Sequence, residues 1–152
     1  MRLENGKILA ESQIEFIWDG SHLVQEIHKS DGKNGTENDR TFSYIYSHPN
    51  SYEPLVQLEF VKDNEKPTGC YYYHNDQIDV PRELTDEEGK VCWYGRYTGW
   101  GKLNVQTKFR DKIHQPSRLQ NQYSDKETGL NHYFPIMIRC SKNALKYLSL
   151  WL

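Results

Sequence analysis

Turn signals recur along this chain about every eight to twelve residues, and the runs between them are β-prone. "IEFIW" (14–18) runs into Asp19-Gly20 and then "HLVQEIH" (22–28), and Asp-Gly between two such runs signals a hairpin. In the second run Leu23, Gln25, Ile27 and Val24, Glu26, His28 alternate in polarity only in part. The polar loop "DGKNGTENDR" (31–40) and the aromatic run "TFSYIYS" (41–47) follow. "HPNSYEP" (48–54) holds two prolines and must leave the ladder. "LVQLEFV" (55–61) alternates Leu55, Gln57, Glu59 against Val56, Leu58, Phe60, and "NEKPTG" (64–69) is a turn. "CYYYHN" (70–75) reads as a strand, and "IDVPRELTD" (78–86) as an extended run through Pro81, which disfavours helix at Val80. "DEEG" (86–89) is a turn and "KVCWYGRYTGWG" (90–101) a strand that ends in glycines. The pattern predicts an all-β chain of antiparallel hairpins from Ile14 to Tyr97, with Asp19-Gly20 and Glu88-Gly89 at turns. It predicts no pair of long helices before Pro116.

The end of the chain has a different texture. "CSKNALKYLSLWL" (140–152) puts Ala144, Leu145, Leu148 and Leu152 at helical spacing behind Ser141 as N-cap, so one short C-terminal helix is expected.

Composition says what such hairpins can bury. The apolar share is 36%, and trading the 11 Tyr for the 10 Gly leaves it near that figure, against about 45–50% for an average globular chain. Aromatic residues make 13%, mostly Tyr, which suits half-buried pleated surfaces better than an aliphatic core. A thin, ring-rich core implies a sheet that leans on neighbours. An open ribbon also leaves strand edges that invite self-association. Net charge is −2 with no basic stripe, so no nucleic-acid partner is expected. No apolar run approaches the roughly 20 residues of a membrane span. The N-terminal "MRLENGKILAESQ" has no apolar signal core, which gives a cytoplasmic expectation. Cys70, Cys92 and Cys140 are odd in number and widely spaced, so reduced structural thiols are expected rather than a disulfide framework or a zinc site.

The stretch 71–101 is where a reader would look for chemistry. His74 and Asp76 share a strand face and Asp79 lies close, but two ligands without a third do not make a metal site. A hydrolase built on His74 with Asp76 or Asp79 would need a concave pocket and a convergent carboxylate. Glu83 and Asp86 flank a turn, where carboxylates are usually solvated. "DGKNGTEND" lacks the spacing of a calcium loop, and Asn34-Gly35-Thr36 is a formal glycosylation sequon. The residues alone assign no catalytic, cofactor-binding or metal site.

The same words carry a family resemblance. "YYYHNDQIDVPRELTDEEGKVCWYGRYTGWG" (71–101) resembles the signature of the bacterial Rhs (YD-repeat) family: Tyr-Tyr-His-x-Asp, Pro-x-Glu-Leu-Thr-Asp, Gly, Trp and Tyr-x-x-Trp-Gly. "FIWDGSHLVQEI", "YIYSHPNSYEPLVQ" and "PSRLQNQYSDKETGLNHY" (116–133) resemble further family segments, in the family's order, across 16–134. The resemblance implies an open β-ribbon, part of a spiralling hollow shell that encloses a C-terminal toxin and ends in a self-cleaving core. It implies that His74, Asp76, Pro81, Arg82 and Asp86 hold turns and strand ends, as wall. The expected partners are other parts of such a shell. Full-length relatives are secreted or delivered to target cells. The alternative is an aromatic-faced binding module for a protein or carbohydrate, which a large exposed aromatic patch would favour.

Departures from the family pattern are specific. Asp79 stands where the family usually has Gly, at a backbone position permissive for positive φ, and Asn121 replaces another expected Gly. Leu119 replaces an expected Phe. After Phe134 the family continues Phe-Arg-Tyr-Tyr-Asp-Pro, where this chain reads Phe134-Pro135-Ile136-Met137-Ile138-Arg139. Codons TTC CGC TAT TAT GAT CC, stripped of the G of CGC, read TTC CCT ATT ATG ATC C, which encodes Phe-Pro-Ile-Met-Ile. The expectation is a non-catalytic, truncated ribbon over 1–134 and an out-of-frame tail over 135–152 that packs little against it, with no self-cleavage core or toxin.

Overall fold

The structure, a computed structural model, describes residues 3–4, 7–8, 13–29, 39–61, 64–99, 102–110, 113–125, 129, 131–133 and 137–138. Eight strands form one antiparallel sheet: β3 (Gln13–Asp19), β4 (His22–Lys29), β5 (Arg40–Tyr46), β6 (Pro54–Val61), β7 (Gly69–Asn75), β8 (Pro81–Thr85), β9 (Val91–Tyr97) and β10 (Leu103–Lys108). Each strand pairs with its neighbours in sequence, so the sheet is a meander whose outer strands are β3 and β10. Both outer edges are open among the described residues. β1 (Leu3–Glu4) pairs with β2 (Lys7–Ile8) in a two-stranded sheet, and β11 (Gln122–Ser124), β12 (Asn131–Tyr133) and β13 (Met137–Ile138) form a three-stranded one. No helix occurs among the described residues, and the helix expected at 141–152 lies outside them. β10 carries the meander past Tyr97, where the hairpin pattern was expected to stop.

Three hairpin loops share one design. In 76–80 the N–H of Asp76 donates to Val80 O at 3.0 Å and that of Asp79 to Asp76 O at 3.1 Å. In 86–90 the matching bonds are Asp86 to Lys90 at 3.0 Å and Gly89 to Asp86 at 2.9 Å. In 118–122 Arg118 N–H reaches Gln122 O at 3.0 Å. The fourth residue of each loop has positive φ: Asp79 at 58°, Gly89 at 76° and Asn121 at 56°. This is a three-residue hairpin loop in which a left-handed residue follows a type I turn. Only Gly adopts that conformation without cost, and Asp and Asn tolerate it because their short polar side chains bond locally. The two positions expected to want glycine are therefore the two non-glycine residues with positive φ among the described residues.

A β-branched side chain cannot be accommodated there. Asp79→Val is expected to cost about 1–2 kcal/mol in urea unfolding, while Asp79→Gly stays at or above the parent. A valine variant as stable as the parent would count against the strain.

Five of the seven neighbouring strand pairs carry a register shift, at Ile17/Trp18, Ile45/Tyr46, His74/Asn75, Leu84/Thr85 and Leu103/Val105. A bulge bends its strand and adds twist, so repeated bulges curve this sheet. They also shift the inward-facing phase within a strand. In β4, Leu23 and Glu26 are both buried although they lie three residues apart.

The core lies on one face. Leu23, Phe42, Tyr44, Tyr71, Tyr73, Leu84, Cys92 and Trp93 come from β4, β5, β7, β8 and β9, and Ile113 and Tyr123 close over them. Full burial of Phe42 or Leu84 contributes roughly 1.5–3 kcal/mol each. β6 lies in the middle of this face yet buries Gln57 and Glu59 there, while its apolar Val56, Leu58 and Phe60 are only partly covered. Gln57 donates to His114 O at 2.9 Å and accepts from the Tyr73 hydroxyl at 2.9 Å. Glu59 pairs with Arg40 at 3.0 Å and accepts from Tyr71 at 3.1 Å. Buried polar groups persist when each finds a partner.

Residues 135–152 were expected to pack little. Their described part adds a strand, with Met137 opposite His132 and Ile138 opposite Asn131. Strand addition needs only backbone N–H and C=O groups, so it does not require side chains shaped to fit.

Candidate functional site

The polar residues of 71–101 are spent on loops and strand ends. Asp76 Oδ1 accepts from the N–H groups of Ile78 and Val80, both at 3.0 Å. Its Oδ2 takes Arg82 through Nε at 2.9 Å and Nη2 at 2.6 Å, and the Arg82 guanidinium lies 4.9 Å over the Tyr97 ring. Asp86 repeats the device, accepting from Glu88 N–H at 3.1 Å, Lys90 N–H at 2.9 Å and Arg110 Nη2 at 2.9 Å. Burial pushes the Asp76 carboxyl up, but the N–H groups of Val80 and Ile78 and then Arg82 outweigh it and hold it below the usual range. For Asp86 the Lys90 N–H is the main cause of a lowered value, joined by Glu88 N–H and Arg110. His74 Nε2 lies 2.9 Å from Thr85 Oγ1, and Asp79 accepts from Gln120 at 3.0 Å. His74, Asp76 and Asp79 thus point to three separate partners.

Most tyrosines of the main sheet face inward, while Phe16 and Phe109 are exposed. Tyr44, Tyr71 and Tyr73 are buried, and of the three consecutive tyrosines only Tyr72 is exposed, at 43%. Cys70 and Cys92 are free thiols, one half-buried and one buried.

A different cluster forms beneath segment 113–118, which covers the sheet. Glu26, at 0% exposure, is its centre. His28 Nε2 and His114 Nε2 lie 2.9 and 3.0 Å from the same Oε2, and the Tyr123 hydroxyl donates to that oxygen at 2.9 Å. The Tyr44 hydroxyl donates to Oε1. His114 also stacks at a tilt on Phe42, with centroids 4.5 Å apart, and meets His28 edge-on at 5.0 Å. An ionised carboxylate only accepts, so the four neighbours serve it as donors.

Burial pushes the Glu26 carboxyl up. Hydrogen bonds from His114 and then His28, the charge of His114 and the Tyr44 hydroxyl outweigh that and hold it at about 2. Burial first, and then the Glu26 charge, push the Tyr44 hydroxyl well above its usual value, so it stays protonated as a donor. Nearby, Arg118 is also buried, with Nη1 bonded to Gln115 O at 3.1 Å, Gln115 Oε1 at 2.6 Å and Ser117 O at 2.8 Å. Burial lowers its value from the ordinary arginine range.

The Glu26 shift makes stability depend on pH. The folded value, about 2, lies below the ordinary 4.5, so the unfolded chain binds more protons in that window. The contribution is complete above about pH 4.5 and is lost as pH falls to about 2. At about 1.4 kcal/mol per pH unit this amounts to roughly 3 kcal/mol. Urea midpoints taken in metal-free buffer between about pH 7 and about pH 2 should show the fall, and Glu26→Gln should flatten it.

Sequence reading passed over this cluster. Glu26-x-His28 has the period-two spacing that puts both side chains on one strand face, which is the signal available. Its third member lies 88 residues from Glu26, and no local pattern announces that pairing.

The chain matches the family model described as RHS protein over residues 70–107. It is similar to the double-stranded DNA deaminase toxin A of Burkholderia cenocepacia (strain H111), 32% identical over 143 residues, which is 86% of this chain and 9% of that protein. It is also similar to the toxin protein Tse5 of Pseudomonas aeruginosa, 27% identical over 136 residues, 79% of this chain and 10% of that protein. The chain therefore spans about a tenth of the length of either relative.

Proposed function

We propose, from the premise that this chain is RHS-family sequence, that it forms a stretch of β-sheet wall in a toxin-enclosing shell and carries no catalysis of its own. The observation that carries this reading is where the chemistry-bearing residues of 71–101 are spent. Asp76 and Asp86 each hold two loop N–H groups and an arginine, and His74 is tied to a strand threonine. Such carboxylates are neither free nor convergent, which is what a wall needs and a reacting centre does not. The curved meander fits the same role. Among the described residues its β3 and β10 edges are unpaired, and each is a template for the next strand of a longer sheet. The similarity to two toxins, each about ten times the length of this chain, supports a part that works within a larger body.

The test mixes the purified chain with an RHS-family toxin protein from which the matching stretch has been deleted. The two are expected to co-purify, and the gapped protein is expected to regain protease resistance. A chain that stays monomeric and apart from the gapped protein would overturn the reading. So would a hydrolytic activity that disappears with His74→Ala.

A further inference from the structure

We propose that Glu26, His28 and His114 bind one divalent transition-metal ion, most simply Zn2+, which staples segment 113–118 to strand β4. Among the described residues they are the one group of three His, Cys, Asp or Glu side chains whose ligand atoms converge, all within 4.8 Å of one another. The convergence is on a single point. Both imidazole Nε2 atoms approach the same carboxylate oxygen, at 2.9 and 3.0 Å. An ion bound at about 2.0–2.1 Å to tetrahedral ligands sets its donor atoms roughly 3.3 Å apart. The carboxylate oxygen already stands near that spacing from each imidazole, and the two imidazole nitrogens lie within 4.8 Å of one another, so side-chain rotation closes the site.

A salt bridge alone needs one imidazolium. Here a second imidazole is brought to the same oxygen from 88 residues away and set edge-on to the first. Two imidazole nitrogens and one carboxylate form a donor set suited to zinc and its neighbours and poorly suited to calcium or magnesium, which take oxygen. The surroundings supply what a bound ion requires. The Tyr44 hydroxyl orients the carboxylate from its other oxygen. The Tyr123 hydroxyl, 2.9 Å from Oε2, donates to the ligating oxygen and helps to fix it. His28 is 26% exposed and gives the ion its way in. On binding, each Nε2 must offer its lone pair. A neutral ring shifts its proton to Nδ1 with none released, and a protonated ring gives up its Nε2 proton to solvent, so uptake releases one proton for each imidazolium present.

The experiment strips the full chain with a chelator and titrates it with Zn2+ by calorimetry. We expect one equivalent bound, an unfolding midpoint raised by several degrees, and the visible bands of tetrahedral Co2+ when cobalt replaces zinc. His28→Gln and His114→Gln keep a side-chain N–H toward Glu26 but lose the ligand, and each should weaken binding more than about 100-fold. His74→Ala should leave it unchanged. X-ray absorption of the zinc-loaded parent needs no variant and should report two imidazoles in the first coordination shell. No stoichiometric uptake, uptake that survives both glutamine variants, uptake lost with His74→Ala, or a shell without two imidazoles would each overturn the proposal. Those outcomes leave the wall reading standing, since it rests on the loops of 71–101.

Discussion

Glu26→Ala is expected to lower the unfolding free energy by roughly 3–5 kcal/mol, enough to unfold a marginal domain. The carboxylate itself is fully buried and ionised. Removing it does more than leave a cavity. It strips the acceptor from two tyrosine hydroxyls and from His114, all buried, and from the half-buried His28. A buried donor left without a partner costs about 1–3 kcal/mol, and relaxation recovers part of that sum. The damage should also spread along the chain, because His114 and Tyr123 belong to the covering segment rather than to the sheet. Hydrogen exchange should show the 113–123 amides losing protection before those of β7 and β8. Glu26→Gln keeps one acceptor oxygen and should cost less. Equal losses for the two variants would show that shape, not acceptance, is what Glu26 supplies. Urea unfolding of the parent and the two variants in metal-free buffer decides between these outcomes.

Trp93→Ala is expected to cost about 3–5 kcal/mol. Trp93 is the largest fully buried side chain among the described residues. It lies opposite Leu84 across the β8–β9 pair, and its ring covers the backbone of Gly95, two residues on and on the same face. A Cβ at Gly95 would run into that ring, so the glycine is what lets the indole lie flat on its own strand. Alanine at position 93 would therefore open a space the size of the indole one strand in from the β10 edge, with strand backbone on one side that cannot collapse into it. The indole Nε1 has no hydrogen-bond partner among the described residues. Trp93→Phe removes that unsatisfied donor while keeping most of the ring contact, so it should cost well under half of the alanine loss. Far-ultraviolet circular dichroism in a urea series reports both variants. A phenylalanine variant as damaged as the alanine one would mean that the N–H is bonded after all.

Local chemistry made much of the fold readable. Hairpin rhythm is written in Asp-Gly, Glu-Gly and the prolines, because φ at a turn is set by the residue that occupies it. For that reason the Gly20 and Gly89 turns were predictable, whereas the left-handed residues Asp79 and Asn121 were signalled only by the glycines usual at those places in the Rhs pattern that the chain resembles. The loop roles of Asp76 and Asp86 came from the family resemblance; read by itself Asp86 was expected to be solvated, and it is buried instead because two loop N–H groups and Arg110 satisfy its carboxylate. Which face of the sheet is inside was not legible. Alternation defines two faces of a strand but does not say which one will be covered. Bulges in β4, β6 and β8 then change the phase partway along. In β6 the covered face holds Gln57 and Glu59, and what makes this tolerable lies elsewhere: Tyr71 and Tyr73 on the next strand, Arg40 on the previous one, and His114 on a segment 57 residues on. The Glu26 cluster has the same origin. Its strand supplies Glu26 and His28 at a spacing any sequence shows by chance, and only the return of 113–123 across the sheet brings His114 and Tyr123 to the same oxygen. A buried charge is decided by partners that desolvate with it, and those are assembled by tertiary contact rather than by neighbours in the chain.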